Sequence, residues 1–364
     1  YPHACLEQLV SKGFPQLYLS DVSEQTADQV MEAEQQVKQI ISRLRSYQLP
    51  TGSFAYWPGQ SNSNAWGSIY ALHFLLVAEG KGYAVPATLK LQALADLRKM
   101  ASGWKPIATG YQQEAETLTQ AYRLYVLALA NKADMGAMNR LRSQQQLPVA
   151  AQWMLSASYA VVGRPDVAKI LLKKTTENPT SSLAYDETFG SAFRNEAIRL
   201  VALCLVKEQE EATALVTRLA KKLASDDWLS TQETAFAWVA LAGYYQQYPT
   251  KVGSMQFSYQ YAEQQETVRT EKSVWSDRLL DGADSSSSDL VIKNEGETAL
   301  YIQAESFAKI PQQDVREAQS KLELSVMYQT TDGLPLDITS LEQGTNFTAQ
   351  VLIQNPTAFP LRNL

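Results

Sequence analysis

The sequence predicts a multidomain chain, α first and β after, whose paired helices close into an α/α toroid. Helical segments that are apolar nearly all round alternate with amphipathic ones at an irregular period of about 35 to 50 residues, as stacked helix pairs do. From about residue 250 the apolar period drops to two, the mark of half-buried strands. A chain of 364 residues, 45% hydrophobic and 19% charged, has room for two or three domains and apolar surface for large cores.

The first helix starts within the first eight residues, and Gly13, Phe14 and Pro15 are expected to end it. Asp21 and Glu24, at capping-box spacing, are expected to open the next helix, which runs from about Thr26 to Leu44. Its apolar stripe is Val30, Val37, Ile40, Ile41 and Leu44. Residues 49–59, rich in Gly, Pro and aromatics, read as a long loop. Residues 66–79 predict a buried helix, stopped by Gly80 and Gly82. Pro86 opens another, to about Met100, with Leu89, Ala93, Leu94 and Leu97 on one side. Further apolar helices are expected near residues 117–130, 151–162, 193–206 and 230–245, with amphipathic ones near 135–142, 165–174 and 210–223. The count is six buried helices and five outer ones. A ring of six pairs lacks one outer helix, a gap expected if the domain begins upstream of Tyr1.

Beyond residue 250, Met255 to Tyr261 alternates as a strand, 281–289 reads as a polar loop, and strands are expected at 290–293 and 300–305. Leu322, Leu324, Val326 and Tyr328 alternate, as do Phe347, Ala349, Val351 and Ile353, with the turn Thr331-Asp332-Gly333 between the two runs. The expected domains are 1–249 (helical), 250–315 (β) and 316–364 (β).

The net charge of −6 argues against a nucleic-acid-binding surface, and no apolar run is long enough to span a membrane. The sequence starts without Met and without a signal pattern, so it is expected to be a piece of a longer protein with any targeting segment upstream. Its two cysteines, Cys5 and Cys204, leave a disulfide or two free thiols open. Cys204 sits in an apolar helical stretch and reads as a buried, inert thiol.

The chemistry lies in Tyr1-Pro2-His3-Ala4-Cys5-Leu6-Glu7-Gln8. A cysteine and a glutamine three positions apart share one face of a helix or tight turn. The Cys5 sulfur can displace ammonia from the Gln8 carboxamide, which leaves an internal thioester, an acyl group open to a nucleophile. The head of a buried helix would favour the departing thiolate through the positive end of the helix dipole. The plainer alternative is a small buried Cys5 beside a solvated Gln8. Glu7, on the other side of the turn, reads as an ordinary first-turn carboxylate. Tyr1, His3, Tyr56 and Trp57 are candidates to shield the bond, against a reading of those aromatics as ordinary core.

Tyr-Pro-x-(small)-Cys-x-Glu-Gln resembles the thioester signature of the alpha-2-macroglobulin and complement family, and of its bacterial members most of all. The family usually has glycine where this chain has Ala4, and glycine permits backbone angles that alanine resists. Residues 52–59 followed by 66–75 are similar to the family's second conserved block, and 229–235 to its last toroid helix. The resemblance implies that the toroid is a thioester domain and that 250–315 is the second half of a CUB-like β domain. It also implies that 316–364 begins a macroglobulin-like β-sandwich, with too few strands to close one.

By the same resemblance the protein is a broad-spectrum protease inhibitor, acting once rather than turning over. A protease cuts a bait segment, the molecule rearranges, and the thioester acylates lysine amines of the attacker. Gln8 ends bonded to the protease and Cys5 ends as a free thiol. The implied partners are proteases and upstream domains of the same protein, with no nucleic acid, cofactor or metal. The implied setting is host defence in a bacterial periplasm, with an upstream N-terminal lipid anchor at the inner membrane. Residues 100–110 contain no histidine to relay the acyl group, so amines are expected over hydroxyls.

Three other readings compete. A Cys–His peptidase would use Cys5 with His3 or His73, but His3 points poorly and His73 lies in an apolar helix. A toroid can house a glycosidase or an isoprenoid-processing enzyme, which need paired carboxylates or a metal cluster. A non-covalent trap or scaffold with a lost thioester is the last.

Overall fold

The computed structural model describes residues 5–106, 112–173, 188–225, 227–249, 255–272, 274–277, 289–297, 299–304 and 322–357. These fall into two compact units, residues 1–300 and 301–364.

In chain order the helices are α1 (Leu6–Gln16), α2 (Leu19–Val22), α3 (Ala27–Leu44), α4 (Ala65–Gly80), α5 (Ala87–Gly103) and α6 (Gln112–Leu129). They continue with α7 (Met135–Arg142), α8 (Val149–Val161), α9 (Pro165–Lys173), α10 (Ala192–Val206), α11 (Gln209–Leu223) and α12 (Thr231–Gln247). Helices α1, α4, α6, α8, α10 and α12 pack each on the next, and α12 returns to α1, which closes a six-helix inner ring. Helices α3, α5, α7, α9 and α11 stand outside, each against two inner neighbours. Among the described residues the expected α/α toroid of six inner and five outer helices is what forms.

The hydropathy pattern explains the two layers. α4 is buried without a break from Trp66 to Leu75, because it meets neighbours on all sides. α3 buries only Ala33, Val37, Ile40, Ile41 and Leu44, one stripe of an otherwise wet helix. Each large aliphatic side chain so buried stabilises the ring by about 1.5–3 kcal/mol.

Two expectations near the start are corrected. Gly13 and Pro15 do not end α1, which continues to Gln16. A side chain at Gly13 would place its Cβ 2.5 Å from the Phe74 ring, so the glycine lets α1 and α4 approach rather than breaking the helix. Asp21 and Glu24 do not cap the next helix. Thr26 and Gln29 form its capping box, while β1 (Ser23–Glu24) pairs in parallel with β4 (Val274–Trp275).

Strands β2 (Met255–Tyr261), β3 (Gln264–Thr270) and β5 (Leu290–Asn294) form an antiparallel sheet in the order β3-β2-β5, over a small core of Phe257, Tyr259 and Val268. Sequence reading missed β3, since Val268 is its only apolar residue and no alternation is visible. Residues 300–304 form no strand, which corrects the one expected there; Leu300 packs against the small core instead. Most of the expected polar loop, 281–288, lies outside the described residues.

In the second unit β6 (Glu323–Thr330) and β7 (Phe347–Gln354) pair antiparallel, with Tyr328 opposite Ala349. Gly333, at φ 83°, makes the turn after β6, where its N–H donates to the Thr330 carbonyl at 2.9 Å.

Candidate functional site

The site is the head of α1. Cys5 is its N-cap, in extended conformation, and its Sγ accepts from the Gln8 backbone N–H at 3.4 Å. The cap brings the cysteine within one turn of Gln8, and points first-turn amides and the positive helix end at the sulfur. Cys5 is 3% exposed, while Gln8 is half-buried. An acyl bond between them would be open on the glutamine side and closed on the sulfur side.

The loop after α3 covers that sulfur. The Tyr56 carbonyl accepts from the Leu6 N–H at 3.0 Å, which fixes the loop to the first helical residue. The Tyr56 phenol is pushed up from its ordinary value, first by burial, then by hydrogen bonding with the Cys5 thiol and by the charges of Cys5 and Glu7. It stays a neutral O–H beside the sulfur. Trp57 meets Tyr56 edge-on at 5.5 Å and is itself exposed. Tyr1, His3 and Ala4 lie outside the described residues.

Glu7 differs from the reading as an ordinary first-turn carboxylate. It is 5% exposed and accepts from Ser11 Oγ at 2.6 Å. Thr231 Oγ1, at the head of α12, donates to its two oxygens at 2.9 and 3.0 Å. Burial raises its pKa, and the hydroxyl donors only partly offset that. Ser11 also bonds the Tyr70 hydroxyl at 3.0 Å. The first and last inner helices are therefore joined through a carboxylate two residues after the candidate sulfur.

Behind this junction Gln232 Oε1 accepts from Trp66 Nε1 and from Arg194 Nη1, both at 3.1 Å. The Arg194 guanidinium lies 4.8 Å from the Trp66 ring centre and is buried. Sequence reading missed Glu7, Thr231, Gln232 and Arg194 as partners. The available signal was a Gln and an Arg in helices read as apolar; which residues they meet is a matter of ring closure, across up to 224 positions of sequence.

His73 is a satisfied core residue, as read: Nδ1 lies 2.8 Å from the Tyr122 hydroxyl. Burial lowers its pKa from 6.5 to about 3. The unfolded chain therefore binds a proton on this residue that the folded ring refuses, so its stabilising contribution is present above 6.5 and is lost as pH falls toward 3. The loss is on the order of a few kcal/mol. His73→Gln is expected to remove that part of the acid limb in urea unfolding measured across the same range. Cys204 is buried and unpaired with Cys5, its thiol pushed up to about 12 by burial. Among the described residues no cluster of three or more His, Cys, Asp or Glu could hold a metal ion, and no helix is long and apolar enough to cross a membrane.

The closed helical ring, with Cys5 to Gln8 at the head of one inner helix and β strands after it, resembles bacterial alpha-2-macroglobulins in fold. The comparisons give the particular relatives. Over 94% of its length the chain is 27% identical to the alpha-2-macroglobulin of Escherichia coli strain K12, of which it spans 21%. It is 32% identical, over 40% of its length, to that of Xylella fastidiosa strain Temecula1, of which it spans 9%. No family profile matches the chain.

Among solved structures, native E. coli alpha-2-macroglobulin from domain MG7 to the C-terminus matches with a TM-score of 0.66 and 22% identity, over 98% of this chain and 56% of that one. Salmonella alpha-2-macroglobulin reacted with methylamine matches with a TM-score of 0.70 and 21% identity, over 97% of this chain and 23% of that one. The resemblance to bacterial alpha-2-macroglobulins is thus matched along nearly the whole chain, and the fold is that of their C-terminal region.

Proposed function

We propose that this chain carries the covalent arm of a protease trap. The Cys5 sulfur and the Gln8 side-chain carbonyl form an internal thioester, and ammonia leaves. When the site is uncovered, a lysine amine of the attacking protease adds to the acyl carbon. The carbon–sulfur bond breaks, the amine proton passes to the sulfur, and an amide to Gln8 and a free Cys5 thiol remain. The inhibitor is spent by this event. The observation that carries the reading is the Cys5 cap: the sulfur accepts from the Gln8 backbone N–H at the head of an inner helix, beneath a loop hydrogen-bonded to the next residue.

The relatives support it. The Salmonella protein has been solved after reaction with methylamine, and the E. coli protein after activation by porcine elastase and by trypsin. Tyr56 and Trp57 belong to the shield on this reading; Tyr1 and His3, its other candidates, lie outside the described residues. The three-part division at 249 and 315, the amine preference, and a periplasmic site at the inner membrane belong to the same proposal.

The test is an intact mass paired with a thiol titration under denaturing conditions, before and after methylamine. The expected result is a mass lower by one ammonia with a single titratable thiol at first. Methylamine then adds its own mass and releases a second thiol. A full mass with two thiols from the start, and no adduct, would leave only a non-covalent trap or scaffold.

A further inference from the structure

Phe189 stands just before α10 in a conformation that needs explaining. Its φ is +53°, in the left-handed region that a bulky L-residue occupies only where its surroundings over-determine it. Its ring lies nearly parallel to that of Tyr56, 11° apart in plane with centroids 6.0 Å apart. Tyr56 is held from the other direction by the hydrogen bond from Leu6 to its carbonyl.

The backbone at Phe189 is anchored as well. Arg194 Nη1 donates to the Thr188 carbonyl at 2.7 Å and Nη2 to Thr188 Oγ1 at 3.4 Å. Thr188 and Arg194 are each 1% exposed. The guanidinium is pinned in turn over Trp66 and Phe236, and bonded to Gln232. A buried cation thus fixes the residue next to a strained one, and the strained residue projects an aromatic face onto the loop that covers Cys5. Ordinary core packing would not require a left-handed backbone, since a phenylalanine is placed at lower cost in an extended or helical one.

We infer that Phe189 is a positioning residue for the acyl site: it backs the Tyr56 ring against the Cys5 corner and so sets how fast water and small amines reach the bond. This rests on the thioester reading. The step it controls is access, and the bond changes are those already described. The residue enters from the α9–α10 side of the ring, so the shield is built from two connections of the toroid, not one. Tyr56 alone, half-buried and edged by an exposed Trp57, could swing away from the sulfur; Phe189 stacked on it removes that freedom.

The experiment is the rate of thiol release by methylamine, followed in the full-length protein and in Phe189→Ala, Phe189→Leu and Phe189→Tyr. The alanine and leucine variants are expected to react roughly three- to ten-fold faster, the span that losing one aromatic pair allows. The tyrosine variant, which keeps the stacked ring, should react at the parent rate. Leucine keeps apolar bulk and serves should the alanine variant fail to fold. Rescue by tyrosine but not by leucine, at equal thermal midpoints, is a pattern that loss of packing alone does not produce. Equal rates in all four proteins, with the adduct formed in each, would overturn this inference and leave the thioester standing. No adduct in the parent protein would overturn both.

Discussion

Cys5→Ser is expected to abolish methylamine incorporation completely while leaving the fold intact. Serine is a better N-cap than cysteine: its oxygen would accept from the Gln8 N–H that now meets a sulfur at 3.4 Å. Capping residues of that kind contribute about 1 kcal/mol to a helix, so the thermal midpoint should hold or rise. The chemistry should vanish regardless, because an alcohol oxygen is a far weaker nucleophile toward a carboxamide than a cysteine sulfur. The check is the mass of the parent and variant with and without methylamine, together with the thiol count. The variant should keep the mass of an intact Gln8 carboxamide and show one thiol, that of Cys204, in both conditions. Covalent methylamine on the variant would place the electrophile elsewhere and sink the assignment of Cys5. Gln8→Ala should likewise lose the adduct, with two thiols titrating from the start.

Glu7→Leu is expected to destabilise the toroid by about 2 kcal/mol, and Glu7→Gln by less than about 1 kcal/mol. The carboxylate accepts from Ser11 and from Thr231, and through Thr231 it joins the two helices whose contact closes the ring. Leucine removes the acceptor of the buried Ser11 hydroxyl, which keeps only Tyr70, and breaks the Thr231 link between the helices; losing a buried acceptor is the expensive way to lose a hydrogen bond. Glutamine keeps an acceptor oxygen and drops the charge. That charge is a net cost here, because burial outweighs the donors and raises the Glu7 pKa. The sign follows: the folded state holds a proton on Glu7 more tightly than the unfolded chain does. Its contribution is fully present below the unfolded value of 4.5 and is lost as pH rises through the folded value. Denaturant unfolding of the three proteins at neutral and mildly acid pH should show leucine far below the others. The gap between glutamate and glutamine should change in glutamate's favour as the pH falls. A glutamine variant as unstable as leucine would mean that the ionised form is what the junction requires.

Much of this fold was legible because it is written in hydropathy. The unbroken burial of Trp66 to Leu75 and the single stripe of α3 are different patterns in one dimension, and each dictates a layer. The count of inner and outer helices followed from that contrast alone. Errors arose where one residue type has two uses. Gly13 reads as a helix stop, yet it is where Phe74 needs room. Asp21 and Glu24 have the spacing of a cap, yet Thr26 and Gln29 make it, and Glu24 serves β1. β3 was invisible because its neighbours, and not its own hydrophobicity, hold it.

The sequence by itself determined the candidate pair, since Cys5 and Gln8 are three positions apart and a single helical turn brings them together. It also determined the ring, because apolar helices must find partners on every side. Only the tertiary structure decided what surrounds the pair: the Glu7–Thr231 junction, the Arg194 anchor, and Phe189 against Tyr56. Those contacts join residues between 6 and 224 positions apart, and the distant ones exist only once α12 has returned to α1. Local spacing carries chemistry within a turn. The environment of that chemistry is set by closure of the ring, which no local pattern contains.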